Sequence, residues 1–273
     1  NGQKDPENPD LALAGRASAT VTYNRSLSSD ALRNLSLTAV VLPPEPGPSV
    51  KLAPAEDTGI ALKAYALVHD VDIEVMAFLR RDRPTRLGLD FAANLRENVE
   101  IHGEASYARD VRRLIVERDA LGATEADGIS YLAGIRYLHR SGTTLIVEHY
   151  HANAGLRRSE FRDYLAYVAS AASEPTVADD GLTPSRSRFA MRDYLYLKLS
   201  HPEPFGWLYA SISAATIVNL ADGSVSLLPQ LSYEPFTDSQ IILWPAISLG
   251  GEESESGSRQ FLARLEMWAR FYF

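Results

Sequence analysis

The last fourteen residues of the chain, Gln260–Phe273, alternate between apolar and polar side chains with a period of two. The odd-numbered positions are all apolar: Phe261, Ala263, Leu265, Met267, Ala269, Phe271 and Phe273. The even-numbered positions are mostly polar or amphipathic: Gln260, Leu262, Arg264, Glu266, Trp268, Arg270 and Tyr272. Successive side chains of a β-strand point to opposite faces, so the pattern predicts a strand between two different solvents. Its length suits a tilted membrane span of about 9–11 residues that projects beyond the lipid.

The same alternation recurs along the chain. Five further segments place apolar side chains on one face and polar or charged ones on the other: Val71–Arg80, Arg86–Leu95, Asn98–Asp110, Ile129–Arg140 and Trp207–Leu220. Additional candidates near 12–24, 32–43, 59–70, 143–154, 188–200, 223–234 and 240–250 bring the expected total to about thirteen strands. A soluble sandwich of two sheets also alternates, but charges of both signs at mid-strand favour an enclosed interior. We therefore expect residues 1–273 to form one all-β domain, an antiparallel up-and-down transmembrane β-barrel of about 12–16 strands.

The apolar runs, net charge and cysteine content of the chain argue against some classes of protein. No run approaches the about 18 consecutive apolar residues of a transmembrane helix, so a membrane crossing has to use strands. The net charge is −8 and no basic cluster could neutralise phosphates, which argues against nucleic acid as a partner. The chain has no cysteine, in agreement with a cell-envelope protein. The alternative at this level is a soluble acidic enzyme.

The connections between the predicted strands alternate in length. Short turns are expected at Glu97-Asn98, Ser141-Gly142, 201–206 and 236–239, and long connections at 44–58, 111–128, 155–187 and 251–259. Barrels in the outer membrane have short turns on the periplasmic side and longer loops outside, so the long connections are expected to be extracellular.

One helical pattern occurs, over residues 156–173 of the longest connection. Phe161, Leu165 and Val168 fall on one side of it. Two interpretations are open. The helix could fold into the mouth of the pore as a constriction or gate, or it could cap the outer rim for packing or lie on lipopolysaccharide head groups through its arginines.

Strand parity assigns a set of ionisable side chains to the interior of the predicted barrel. An Arg or Lys facing lipid at mid-membrane would cost about 2–4 kcal/mol, so these groups are expected to face water or one another. The candidate lumen and selectivity residues are Arg80, Arg86, Glu100, His102, Glu104, Arg136, Arg140, Glu148, Arg192, Lys198, Arg264, Glu266 and Arg270, accompanied by Lys63, Glu74 and Asp90. Either the basic members select anionic solutes, or the set pairs into a network that fills a narrow barrel. We expect a partly filled lumen with a polar path.

Catalytic, metal and cofactor sites are not predicted. The motif Glu100-x-His102-x-Glu104 spreads its three side chains over about 13 Å along a strand, too far for one ion to bind them all. His149 and Asp193 suggest a hydrolase at the rim, but no serine lies in a nucleophile motif. A structural role for that pair is the favoured alternative.

Two features depart from a regular barrel. Pro229 and Pro245 lie inside predicted strands, each removing a backbone donor, so local bulges are expected there. About thirteen strands is an odd number, whereas single-chain bacterial barrels use even numbers. Missing N-terminal strands, or a strand wrongly divided within 1–58, would explain the count.

The C-terminal strand resembles the terminal strand of bacterial outer-membrane proteins. In those proteins the final aromatic residue is recognised by the barrel-assembly machinery, and Phe271 and Phe273 would be the corresponding assembly signal. Residues Asn98–Arg109, Tyr131–Tyr150 and Met191–Leu199 also resemble strands of alginate-export-type and porin-like outer-membrane proteins. The resemblance implies a bacterial outer-membrane location, in contact with lipid and lipopolysaccharide. No functional residue is carried over, because no family site matches residue by residue.

Two functions are compatible with these expectations. The first is an outer-membrane channel or export porin that passes a small or anionic solute through a charged lumen. The second is a non-conducting barrel that anchors or completes a transenvelope transport assembly, docking other envelope components through its turns or loops.

Overall fold

The computed structural model describes residues 18–29, 31–43, 58–81, 83–117, 120–171 and 190–272. These residues form thirteen strands and one α-helix, in the following order: β1 (Ala19–Ser26), β2 (Leu32–Leu42), β3 (Gly59–Val68), β4 (Val71–Leu79), β5 (Arg86–Arg96), β6 (Val99–Glu117), β7 (Ala120–Leu138), β8 (Thr144–His151), α1 (Arg158–Ala171), β9 (Asp193–Pro202), β10 (Ala210–Asn219), β11 (Val225–Tyr233), β12 (Ser239–Leu249) and β13 (Ala263–Phe271). The strands form one sheet in sequence order, and every neighbouring pair is antiparallel. The predicted all-β antiparallel meander is confirmed.

The two edges of this sheet are not joined in the described part of the chain. There, β1 pairs with β2 alone and β13 pairs with β12 alone. Because strand direction alternates, β1 and β13 run in the same direction. Closure into a barrel therefore stays a prediction.

The connections differ in length between the two ends of the sheet. One end, here called the short-turn end, carries residues 27–31, 69–70, 97–98, 139–143, 203–209 and 234–238. The other, the long-loop end, is where β2, β4, β8, β10 and β12 finish and where the next strand along the chain begins. The last strand finishes at the short-turn end, where the Tyr272 amide donates to the carbonyl of Asp238 at 2.9 Å.

The prediction of a long loop over 111–128 was wrong. Strands β6 and β7 continue past Asp110 as a hairpin that projects from the long-loop end. A β-bulge between Ala108 and Val111 places an extra residue in β6, with Asp110 at a φ of 53°. The Asp127 carboxylate accepts hydrogen bonds from the Asp110 amide and the Tyr107 hydroxyl, both at 2.9 Å. A bulge changes which face each later side chain occupies, so simple alternation fails to extend the strand beyond it.

The bulges expected at Pro229 and Pro245 are absent. The β11–β12 ladder stops at Leu227–Ile247 and resumes at Leu231–Leu243 in the same register. That register places the two prolines opposite each other, so the missing amide donors coincide in one gap of the ladder.

Most of the buried apolar residues in the described part of the chain form a cluster at the long-loop end. It joins both ends of the β8–β9 connection and helix α1 to residues of the sheet: Leu114, Leu156, Phe161, Tyr164, Ala190, Met191, Tyr194, Ile217 and Leu228. The helix lies within the predicted 156–173, and its N-terminus is capped by the Glu160 carboxylate, which accepts the Arg157 amide at 2.7 Å. Among the described residues, no helix has the length and apolar character needed to cross a membrane.

Candidate functional site

Strand register divides the side chains of the sheet into two faces, because directly paired residues point to the same side. The face that contains Leu265, Met267 and Phe271 is called the outer face. These three side chains are 67%, 73% and 70% exposed, so no described part of the chain covers them. Below the hairpin extension of β6 and β7, paired residues of the outer face carry an Asp, Glu, Lys or Arg only at strand ends, namely Arg25, Arg96 and Asp193.

The opposite side, called the inner face, holds the charges. Its ionisable Asp, Glu, Lys and Arg side chains are Lys63, Asp72, Glu74, Arg86, Asp90, Glu100, Glu104, Arg136, Glu148, Lys198, Arg264, Glu266 and Arg270. The sheet is curved, because residues from β2 through β8 line a single cavity of about 880 Å³. Register thus brings ten of the predicted residues to one face: Arg86, Glu100, His102, Glu104, Arg136, Glu148, Lys198, Arg264, Glu266 and Arg270.

The inner-face charges are divided by sign along the sheet. Strands β3–β8 carry six carboxylates (Asp72, Glu74, Asp90, Glu100, Glu104, Glu148) against three cations (Lys63, Arg86, Arg136). Strands β9–β13 carry three cations (Lys198, Arg264, Arg270) against one carboxylate (Glu266). We call these the acidic wall and the basic wall.

An ion pair and hydrogen bonds link the strands of the acidic wall. Lys63 Nζ lies 2.6 Å from Glu74, and the Tyr65 hydroxyl donates to Asp72. His102 lies between two carboxylates, with Nε2 at 3.1 Å from Glu148 and Nδ1 at 3.5 Å from Glu100.

Gly134 makes the His102 contact possible. It pairs with His102 on one side and Glu148 on the other, and a Cβ there would lie 2.3 Å from His102 Nε2 and 2.8 Å from Glu148 Cγ. Only a residue without a side chain leaves space for the two groups to meet across β7. Alternation alone gave no sign of this role.

The basic wall surrounds a second cavity, of about 310 Å³. Its lining combines cations, aromatic rings and polar groups, including Tyr196, Lys198, Gln230, Trp244, Trp268 and Arg270. Along β13, Arg264 Nε lies 2.9 Å from Glu266, Trp268 Nε1 donates to Glu266 at 3.1 Å, and the Arg270 guanidinium lies 5.0 Å from the Trp268 ring.

Three predicted lumen residues lie outside the strands. Arg80 directly follows β4, and Arg140 lies exposed in the turn after β7, because that strand ends at Leu138. Arg192 precedes β9 at the long-loop end, where its Nε donates to the Gly155 carbonyl at 2.8 Å and burial lowers the pKa of its guanidinium. Of the predicted assembly signal, Phe271 lies exposed on the outer face, and Phe273 lies outside the described residues.

The long-loop end folds over the inner face. The apolar cluster there includes the inner-face residues Tyr194, Ile217 and Leu228. Helix α1 contributes Phe161 and Tyr164 to the same cluster. An ion pair of 3.3 Å between Arg113 of the β6 extension and Glu160 also holds the helix. These contacts attach the helix to the inner face and to the β6 extension, and both interpretations of its role stay predictions.

Glu255, in the β12–β13 connection, was not predicted. Its carboxylate is 7% exposed and accepts hydrogen bonds from the Ala190 amide (2.7 Å), the Tyr194 hydroxyl (2.7 Å) and the Asn219 side chain (2.6 Å). Burial raises the pKa of this carboxyl above its ordinary value, against the opposing effect of the three donors. The surrounding sequence is acidic and serine-rich, which is typical of a solvated loop, so the sequence held no signal for the burial.

The groups considered for catalysis or metal binding take part in hydrogen bonds and ring stacking. On the outer face at the long-loop end, His151 Nδ1 lies 2.6 Å from Asp193, whereas His149 lies 4.0 Å away. The Tyr131 ring stacks on His151 with the centroids 5.3 Å apart. Within the described ranges, no three His, Cys, Asp or Glu side chains are arranged to hold a metal ion.

Comparison with known proteins adds no relative: no protein-family model matches the chain, and no curated protein matches it significantly. The resemblance to alginate-export-type and porin-like proteins therefore has no support beyond the residues that suggested it.

Proposed function

We propose that this protein is a bacterial outer-membrane β-barrel and that it acts as a channel for a small or anionic solute. One observation carries the membrane assignment: the outer face of the sheet is apolar and exposed, while the ionisable residues lie on the inner face. Monomeric soluble proteins rarely expose a contiguous apolar patch larger than roughly a few hundred Å². Hydrocarbon is the solvent that suits such a face.

Closure of the barrel is part of the proposal. A barrel in which every pair is antiparallel needs an even number of strands. With β1 and β13 running in the same direction, we expect at least one further antiparallel strand between them.

The two walls support passage of a solute. Most inner-face charges have partners on the same wall, yet two cavities remain, of about 880 and 310 Å³. The smaller cavity has Lys198 and Arg270 in its lining, so anions are favoured along the basic wall.

Membrane integration is tested by expression in a Gram-negative host with a secretion signal. We expect the protein in the outer-membrane fraction, resistant to carbonate and to urea and released only by detergent. Quantitative recovery in the soluble fraction would overturn the membrane assignment.

Transport is tested by single-channel recording in planar bilayers, with the wild type, a variant lacking residues 155–187 and Arg270→Gln. We expect discrete conductance steps, and a shift of the reversal potential toward cations when Arg270 loses its charge. Arg140→Gln is the matched control, because Arg140 lies exposed in a turn, and its shift should be smaller. Absence of steps from both the wild type and the deletion variant would exclude a channel.

The second candidate is a non-conducting barrel that anchors a transenvelope assembly. The packing of α1 against inner-face residues and the polar contacts of the acidic wall favour it, because both reduce the space along the inner face. Such a protein would fractionate with the outer membrane and co-purify with other envelope proteins, without conductance in any variant.

A further inference from the structure

The connection between β12 and β13, residues 250–262, bends back over the inner face instead of extending away from the sheet. Its central residues Ser254, Glu255 and Ser256 are 7%, 7% and 5% exposed. Ser256 Oγ lies 3.3 Å from Ser226 Oγ on β11, and the Ser256 amide donates to Ser224 at 3.3 Å. An acidic, serine-rich loop is normally solvated, so its burial needs a specific attachment.

Glu255 provides that attachment. Its carboxylate takes donors from three separate segments: Ala190 at the end of the β8–β9 connection, Tyr194 on β9 and Asn219 on β10. Its own amide donates to Asp222 in the β10–β11 turn at 2.7 Å. A carboxylate with its hydrogen bonds made in this way fixes the loop at one point to the end of the sheet.

The attachment lies directly beyond the cavity of the basic wall. Tyr194 and Asn219 pair with each other on the inner face. The next inner-face pair toward the short-turn end is Tyr196 and Ile217, and both of these line the 310 Å³ cavity. A step of two residues along a strand is about 7 Å, so the Glu255 carboxylate lies about one such step beyond the end of the cavity that faces the long loops.

We propose that residues 250–262 form a lid, held closed by Glu255, over the long-loop end of the path along the basic wall. Release of Glu255 frees the loop and opens this path to solute. The inference rests on the proposed channel function, and its test includes a measurement that does not depend on conduction.

The first test of the lid compares the single-channel conductance of one variant with that of its control. Glu255→Ala removes the acceptor shared by Ala190, Tyr194 and Asn219, and we expect the single-channel conductance to rise at least twofold. Glu253→Ala is the control, since Glu253 is exposed in the same loop, and should conduct as the wild type does.

A disulfide then locks the lid. The chain has no cysteine, so Ser226→Cys with Ser256→Cys introduces the only thiols, at positions whose hydroxyl oxygens are 3.3 Å apart. In the Glu255→Ala background, oxidation should return the conductance to the wild-type value, and dithiothreitol should restore the raised value. Formation of the disulfide also reports that this variant folds. If neither Glu255→Ala nor the disulfide changes the single-channel conductance, the proposal of a lid is wrong.

Proteolysis gives the independent readout. Arg259 is half-buried in the loop, and we expect trypsin to cleave after it at least tenfold faster in Glu255→Ala than in the wild type or Glu253→Ala, all in detergent. Faster cleavage without conductance in any variant would support an attached loop and refute the channel. Equal cleavage rates in a conducting protein would refute the attachment of the loop but would not contradict the channel function.

Discussion

At the residue scale, close approach on the inner face depends on glycine at position 134. His102 and Glu148 meet across β7 only because Gly134 has no side chain, whereas a Cβ at Gly88 on the same face would make an ordinary contact of 3.5 Å with Met76. We expect Gly134→Ala to lower the free energy of unfolding by about 1–3 kcal/mol, since an added methyl overpacks the contact. Gly88→Ala is the control and should be close to neutral. Unfolding in urea from detergent micelles measures both, and equal stabilities would contradict the packing argument.

Also at this scale, Glu255 makes the closed loop sensitive to pH. Burial raises the pKa of its carboxyl in the folded protein, and Tyr194, Asp222 and Arg259 are the ionisable groups that face it. A raised folded-state pKa means that the contribution to stability is complete below the ordinary pKa of glutamate and declines as pH rises through the raised value. The Tm of the wild type minus that of Glu255→Ala should therefore decrease from acidic to neutral pH. A difference that grows over that range would contradict this sign.

At the scale of the element, β13 is the strand whose faces differ most clearly. Met267 is 73% exposed on the outer face, midway along the strand. We expect Met267→Arg to destabilise the folded protein in lipid by about 2–4 kcal/mol, because the charge would face hydrocarbon at mid-membrane. In a water-soluble sheet the same exposed substitution would change stability by only about ±0.5 kcal/mol.

Gln230→Arg is the control for this change, since it adds the same charge on the inner face of β11. Folding titrations in urea with phospholipid vesicles measure both variants. A loss of stability for Gln230→Arg as large as that for Met267→Arg would contradict the assignment of the two faces.

At the scale of the whole molecule, the curved sheet has an exposed apolar outer face and an inner face that carries most of the charges. Single cysteines can be placed on neighbouring strands without interference from native thiols. We expect thiols at Leu89 and Leu265, on the outer face, to resist a charged maleimide in vesicles. A thiol at Ser106, on the inner face beside Gly88, should react. Equal reactivity on the two faces would contradict an outer face in hydrocarbon, and detergent-solubilised protein is the control for intrinsic reactivity.

The sequence by itself determined the strands and their faces. The apolar side of Gln260–Phe273 and the charged side of Arg86–Leu95 both follow from a period of two, which is a local property of extended backbone. Alternation also predicted the shared face of ten lumen residues. The helix could be located in the same way, because an amphipathic helix has a local period of its own.

Only the tertiary structure decided which side chains from distant segments contact each other. Beyond the bulge at Asp110, the odd- and even-numbered residues of β6 exchange faces. Pro229 and Pro245 lie opposite each other because of the register between β11 and β12. Burial of Glu255 and the contact that Gly134 permits arise from segments distant in the chain. Hydrogen bonds and close packing between distant segments depend on register and loop conformation, and neither leaves a periodic signal in the sequence.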